Sequence, residues 1–275
     1  MATALITGGT SGIGAAFARE LAASGDDLVL VARDSERLER VAAQLHSAWG
    51  IRVEVMSADL GVRADVDRVA ARLEEPGSPI DLLVNCAGFG VNASLLLVDT
   101  APHDRAMDVM CRAILVLSAA AGRSMLARGG TIITVSSLQS FLATGSYGAI
   151  KAWVTAHSQG LAVELRDTPV TVTAVLPGWV RTEWHERAGV SRSSVPDWLW
   201  IEPETVASWA LRDAARGRVI SIPTIRYRML GLFARHLPMV MIRGISARIS
   251  SQRASAASDD AAGSESPAVQ NGSAT

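Results

Sequence analysis

Thr3-Ala4-Leu5-Ile6-Thr7 reads as a short strand, and it runs directly into Gly8-Gly9-Thr10-Ser11-Gly12-Ile13-Gly14 and then a stretch of helical period. A strand, a glycine-rich turn and a helix in that order strongly constrain the fold. The glycines allow a tight turn and let backbone N–H groups at the helix N-terminus approach an anion, the arrangement a pyrophosphate site needs. A tight turn without a ligand would use the same residues. The spacing Thr-Gly-x-x-x-Gly-Ile-Gly, placed between strand and helix, points to a dinucleotide.

The same alternation continues along the chain. Apolar β-branched runs near 3–7, 27–32, 51–57, 80–85, 130–136, 170–175 and 218–222 predict strands, separated by helical periodicity near 12–24, 34–48, 63–75, 101–128, 146–167 and 203–216. Seven strands and six helices in this order form an α/β, doubly wound parallel sheet with helices on both faces. Residues 1–225 then form one catalytic domain. Within it, 178–202 stand outside the alternation, are rich in Arg, Ser and Trp, and read as an insertion over the carboxyl edge of the sheet, where ligands bind. Residues 226–250 form a basic amphipathic segment, and 251–275 a tail without periodicity, expected to be disordered.

About half of the residues are apolar and few are aromatic, as suits a sheet buried between helix layers. A formal net charge of −1 supplies no field that would favour nucleic acid as a partner. Cys86 and Cys111 lack metal-ligand spacing and read as buried thiols in a reducing compartment. The N-terminus enters a strand without the basic and apolar regions of a signal peptide, so a cytoplasmic location is expected. Of 26 basic side chains, Lys151 is the single lysine. A lysine kept against an arginine background suggests a site where a compact ammonium fits and a planar guanidinium does not.

Lys151 stands one helical turn after Tyr147 in Ser146-Tyr147-Gly148-Ala149-Ile150-Lys151-Ala152, so both side chains leave the same helix face. A phenol with a pKa of about 10 is a poor acid–base at neutral pH, and a neighbouring ammonium lowers that value by stabilising the phenolate. A packed tyrosine and a solvated lysine would show the same spacing. The preceding strand, however, ends in Val135-Ser136-Ser137 at the edge that carries the glycine turn, and Ser137 could hydrogen-bond a substrate oxygen beside Tyr147. Ser136 and Ser140 are the substitutes for that role. Arg33 at the end of the second strand can meet a ribose 2′-phosphate bidentately and favours NADP(H) over NAD(H), while Asp34 could cap the following helix.

Over roughly residues 3–225 the sequence resembles the short-chain dehydrogenase/reductase family. The matching pieces are Thr7-Gly8-x-x-x-Gly12-Ile13-Gly14, Asp59-Leu60, Asn85-Cys86-Ala87-Gly88, Val135-Ser136-Ser137, Tyr147-x-x-x-Lys151 and Pro177-Gly178-x-x-x-Thr182, six motifs in order. The resemblance implies a Rossmann-type fold in which Gly8, Thr10, Ser11, Gly12, Ile13 and Gly14 hold the pyrophosphate. It implies that Asp59 meets the adenine, that Asn85, Ala87 and Gly88 line the cofactor, that Thr182 touches the carboxamide, and that Leu60, Pro177 and Gly178 belong to the cofactor site as well. Tyr147 would be the general acid–base, Lys151 would hold the nicotinamide ribose, and Ser137 would position the carbonyl. Two departures stand out. Met110 occupies the position where the family commonly has an asparagine of the proton relay, and Ser137 precedes Tyr147 by only ten positions, a shorter loop similar to that of an actinobacterial branch.

Trp179, Trp184, Trp198 and Trp200 crowd the segment after Pro177-Gly178, either covering a hydrophobic carbonyl substrate or packing on the domain. This segment also looks like ketoacyl-type reductases of mycolate-producing bacteria. Residues 214–253 contain eight arginines and no Asp or Glu, interleaved with apolar side chains, and could serve as a lid, a subunit contact or a peripheral membrane contact. Apolar faces on 101–128 and 146–167 suggest a homodimer or homotetramer. The expected activity is NADP(H)-dependent hydride transfer to a hydrophobic ketone or 3-oxoacyl compound. The alternative is a cofactor-binding sensor or scaffold with little turnover, because of Met110.

Overall fold

The computed structural model describes residues 2–91, 93–182, 196–236, 240–244 and 246. Seven strands, β1 (Thr3–Thr7), β2 (Asp27–Ala32), β3 (Val53–Ser57), β4 (Leu82–Asn85), β5 (Gly130–Val135), β6 (Val170–Val175) and β7 (Ile220–Ser221), form one parallel sheet in the order β3-β2-β1-β4-β5-β6-β7. The helices are α1 (Gly12–Ala23), α2 (Ser35–Trp49), α3 (Arg63–Leu73), α4 (Ala101–Met107), α5 (Ala113–Met125), α6 (Gly145–Glu164), α7 (Pro203–Ala214) and α8 (Ile225–His236).

Both faces of the sheet are buried, and strand alternation divides the core in two. Ala4, Ile6, Leu28 and Leu30 join Phe17 of α1, Leu38 of α2 and Val206 of α7 on one face. Leu5, Val29 and Val31 join Val69 of α3, Leu117 of α5 and Ile150 of α6 on the other. A period of two explains this division and why the strands read as continuous apolar runs. Local chemistry sets the helix ends: the Asp34 carboxylate accepts the Arg37 N–H at 2.9 Å, and Gly50 closes α2 in the left-handed region at φ 69°.

The expected helix over 101–128 is interrupted. A π-turn at Asp108–Arg112 separates α4 from α5 and buries Val109 and Met110. The extra residue rotates all that follows by about 100°, which brings the α5 face onto the sheet. The last strand is shorter than the expected 218–222, because it pairs with β6 only through Ala174–Val175 and meets Pro223, which has no N–H to donate.

The expected boundary between 225 and 226 falls inside one packed unit. Tyr227 of α8 is 2% exposed and belongs to the first core cluster, and Arg228 donates to the buried Asp213 at 2.8 Å. The expected tail at 251–275, and Trp184 within the expected substrate loop, lie outside the described residues.

Candidate active site

Chain order reverses between β1 and β4, and the carboxyl ends of β1, β4, β5 and β6 surround a cavity of about 580 Å³. The register that pairs Thr7 with Asn85 sets the glycine turn beside Cys86-Ala87-Gly88. Thr7 joins the two segments: its Oγ1 accepts the N–H groups of Cys86 at 3.0 Å and Ala87 at 3.1 Å. Gly14 lies so close to the turn that a Cβ would stand 2.2 Å from the Gly8 carbonyl oxygen, so only glycine fits. Helix α1 begins with Gly12 at φ 51°, with no side-chain cap and no acidic residue in its first turn. An uncapped N-terminus facing a cavity presents its N–H groups to an anion, so these residues fit a dinucleotide pyrophosphate.

Gly8, Ser11, Gly12, Ile13, Ala87, Gly88, Ser137, Tyr147, Lys151, Pro177, Gly178 and Thr182 all line this one cavity. Three serines compete for the substrate side, and their bonds separate them. Ser136 Oγ is buried and donates to the Lys151 carbonyl at 2.8 Å, while Ser140 Oγ is buried away from the cavity. Ser137 faces the cavity; its Oγ accepts the Gln139 N–H at 3.1 Å, which leaves its own proton to donate.

Lys151 is 5% exposed, and its ammonium donates to the Val135 carbonyl at 2.9 Å and stands 5.6 Å from the centre of the Tyr147 ring. Burial lowers its pKa to about 8. Both thiols are pushed up by the same desolvation, Cys86 to about 12 and Cys111 to about 11, so they are neutral at physiological pH. A Cβ on Gly88 would lie 3.7 Å from Nζ and 3.1 Å from Met110 Sδ, which places Gly88 and Met110 beside the ammonium. A buried point charge bonded to the Val135 carbonyl is a role that a planar guanidinium does not reproduce. Met110 itself is fully buried.

The far wall is apolar, with Phe89, Leu138, Phe141 and Trp179, and α8 completes it through Tyr227, Leu230, Gly231 and Phe233. The Tyr227 hydroxyl accepts the Trp179 N–H at 3.1 Å and donates to the Leu199 carbonyl at 2.5 Å. Burial raises its pKa and keeps the hydroxyl protonated, against the weaker opposing pull of the Trp179 N–H and Arg226. The tryptophans divide between the two expected roles: Trp179 faces the cavity, Trp200 packs against it at 5.9 Å, and Trp198 is solvent-exposed.

Several expected cofactor residues lie outside the cavity. Leu60 is buried in the second core cluster. Asn85 also points inward, with its Nδ2 donating to Ser118 Oγ at 3.0 Å, because strand alternation turns its side chain away from the ligand edge. Thr10 contributes a carbonyl to Arg37 at 3.1 Å, and Arg33 is exposed at the end of β2. On Asp59, burial raises the pKa, but the Gly61 N–H and the Arg105 guanidinium outweigh it and hold the carboxyl below the usual range. Both bonds fall on Oδ1. Sequence reasoning missed Thr7 as a brace, Arg37 beside the turn, and Tyr227. The last had a signal: the chain has only two tyrosines, and both reach this cavity.

Comparison with known proteins agrees with this geometry. Residues 2–191 match the family model described as short chain dehydrogenase. The very-long-chain 3-oxoacyl-CoA reductase of Anas platyrhynchos is 33% identical over 219 residues, covering 76% of this chain and 68% of that protein. A short-chain dehydrogenase from Sphingobium yanoikuyae in complex with NADPH superposes with a TM-score of 0.77 at 32% identity, covering 100% of this chain and 99% of that one. The bulky-bulky ketone specific alcohol dehydrogenase from Comamonas testosteroni does so with a TM-score of 0.73 at 29% identity, covering 100% and 97%. With a glycine turn, a serine strand and a Tyr-x-x-x-Lys helix meeting at one cavity and a family match over most of its length, this chain belongs to the short-chain dehydrogenase/reductase family.

Proposed function

We propose that this chain is an NADP(H)-dependent oxidoreductase that reduces a hydrophobic ketone or 3-oxoacyl compound, or oxidises the corresponding alcohol. The observation that carries this reading is that Ser137, Tyr147 and Lys151 open onto one largely apolar cavity together with the glycine turn. The bound nicotinamide supplies or accepts the hydride. Ser137 and the Tyr147 hydroxyl hold the carbonyl oxygen, and Tyr147 gives it the proton. The buried Lys151 ammonium stabilises the phenolate left behind. The apolar wall from Phe141 to Phe233 excludes water and selects for a bulky or long side chain.

Arg33 and Arg37, beside the second strand and the turn, support the choice of NADP(H). The NADPH complex of the Sphingobium relative supports it further, and the ketone specificity of the Comamonas relative supports a bulky ketone as substrate. The short Ser137–Tyr147 loop and the Trp-rich segment support placement in an actinobacterial ketoacyl-reductase-like branch. Free thiols at Cys86 and Cys111 favour a reducing, cytoplasmic setting. Exposed Met107, Leu115 and Val163, on α4, α5 and α6, favour a homodimer or homotetramer.

Tyr147→Phe tests the assignment. Turnover should fall by at least about 10³-fold, within the range a positioned general acid contributes, while NADPH binding measured by fluorescence stays near wild type. A fully buried Met110 keeps a second reading open, that of a cofactor-binding sensor. Tight NADPH binding without reduction of any member of a broad ketone panel, together with activity gained in Met110→Asn, would establish that reading instead.

A further inference from the structure

Helix α8 is amphipathic in an inverted sense. Its inward residues, Tyr227 and Gly231, are buried one turn apart, against Gly178 and against Ile222 and Leu138. Its outward stripe is apolar: Ile225 is 72% exposed, Met229 64% and Phe233 66%, each four residues after the last. Val240 and Met241, in the following helical stretch 240–244, are exposed as well. A stripe of this kind on a surface helix marks a contact.

The setting specifies the partner. Residues 214–253 carry eight arginines and no carboxylate side chain; Arg218 and Arg228 are taken up by the buried Asp213, while Arg226, next to Ile225, stays exposed. Arg243 is exposed two positions from Met241. Apolar anchors with basic neighbours fit the headgroup boundary of an anionic bilayer. Twelve residues of helix reach about 18 Å, too short for a hydrocarbon core of about 30 Å, so the helix would lie in the plane of the surface. No helix among the described residues is long and apolar enough to cross a membrane.

The stripe is also continuous with the cavity. Leu230 and Phe233 line the cavity while remaining at least half exposed, so apolar surface runs without interruption from the outside of α8 to the substrate wall. We infer that the outer face of α8 docks on an anionic lipid surface and that the cavity takes a lipid-dissolved ketone directly from it. The delivery of substrate rests on the reductase reading, whereas the docking does not.

The test is flotation of the full-length protein with vesicles of phosphatidylglycerol and phosphatidylcholine, beside vesicles of phosphatidylcholine alone. The wild type should float with the anionic vesicles and be released by salt. Ile225→Glu combined with Met229→Glu, neither of which lines the cavity, should lower the bound fraction by about tenfold or more. That variant should reduce a water-soluble ketone at the wild-type rate and lose turnover of a long-chain ketone presented in vesicles. Arg243→Glu should weaken flotation less and flatten its salt dependence. A wild type that stays with the soluble fraction overturns the inference, as does equal flotation of the double variant. Conversion of an oligomer to a monomer by the double variant, without any wild-type flotation, would make the stripe a subunit contact. Flotation needs no turnover, so its failure leaves the reductase assignment standing, and a protein that floats yet reduces nothing fails that assignment alone.

Discussion

The Tyr227 ring fills the space that a side chain on Gly178 would need: a Cβ there would stand 2.1 Å from the ring carbon Cζ. The hydroxyl of the same ring holds the Trp179 N–H and the Leu199 carbonyl, so one residue of α8 fixes the segment that forms the cavity wall. Gly178→Ala should destabilise the protein by about 1–3 kcal/mol through overpacking. The same substitution in a Tyr227→Ala background should cost much less, because the ring it meets is gone. Urea denaturation of the four proteins of this cycle measures the coupling. Tyr227→Phe keeps the ring and leaves the Trp179 N–H without its acceptor, and should raise KM for a bulky ketone more than it lowers kcat. Additive losses across the cycle would refute the relationship.

Thr7 acts as a brace at a different point of the same edge. Its hydroxyl accepts from Cys86 and Ala87 and donates to the Val84 carbonyl at 3.4 Å. Thr7→Val preserves shape and strands two N–H donors, at about 1–3 kcal/mol each where water cannot replace the acceptor. The expected result is a loss of stability of about 2–6 kcal/mol for the two donors together, with weaker NADPH binding, since Ala87 and Gly88 lose their anchor. Thr7→Ser, which restores the oxygen, should recover most of both. Equal behaviour of the Val and Ser variants would show that the hydroxyl is dispensable.

The sheet was legible because its signals are local. Strand runs, glycine spacing and the Tyr147–Lys151 interval all depend on neighbours within a turn, and the observed strands match the expected ones within about two residues at their ends. Ser137 could be chosen over Ser136 only with tertiary bonds in view, since both stand at the end of one strand. The side chains of Asn85 and Leu60 point into the core for a related reason: a motif identifies the segment at a ligand edge, but local backbone direction decides which side chains face it. The π-turn at Asp108–Arg112 left no compositional trace, because it is a one-residue insertion inside uninterrupted helical sequence. The role of Tyr227 depends on a glycine 49 positions earlier, beyond the reach of any periodicity.

Lys151 gives stability and activity opposite dependences on alkaline pH. Burial lowers its pKa from 10.5 to about 8, so the folded protein disfavours the charged form. Between these two values the unfolded chain holds more protons, and stability of the cofactor-free protein should rise with pH, by at most on the order of 1.4 kcal/mol per unit. Over the same window the ammonium that supports the Tyr147 phenolate disappears, so kcat/KM for ketone reduction should fall as pH rises through about 8. Lys151→Met provides the control: the wild-type stability profile minus its own isolates the lysine. A difference profile that is flat from pH 8 to 10 would contradict the assigned desolvation.

Cofactor choice should depend on two arginines. Arg33 is exposed where β2 ends, and Arg37 Nε donates to the Thr10 carbonyl at 3.1 Å, which holds the Arg37 guanidinium against the glycine turn. Asp34, next to Arg33 in sequence, is engaged as the α2 cap through the Arg37 N–H and so is turned from the acceptor role that would favour a ribose 2′-hydroxyl. A charge-assisted hydrogen bond contributes about 1.5–3 kcal/mol. Arg33→Ala should therefore raise KM for NADPH by about 10–100-fold and leave that for NADH nearly unchanged. Arg37→Ala should act in the same direction, with an added loss for both cofactors because the turn loses a partner. Arg33→Asp should reverse the preference by placing a carboxylate where the 2′-hydroxyl would lie. Initial rates with both cofactors at fixed ionic strength measure this, and an unchanged NADPH-to-NADH ratio in the Arg33→Ala, Arg37→Ala double variant would remove both residues from the 2′-phosphate site.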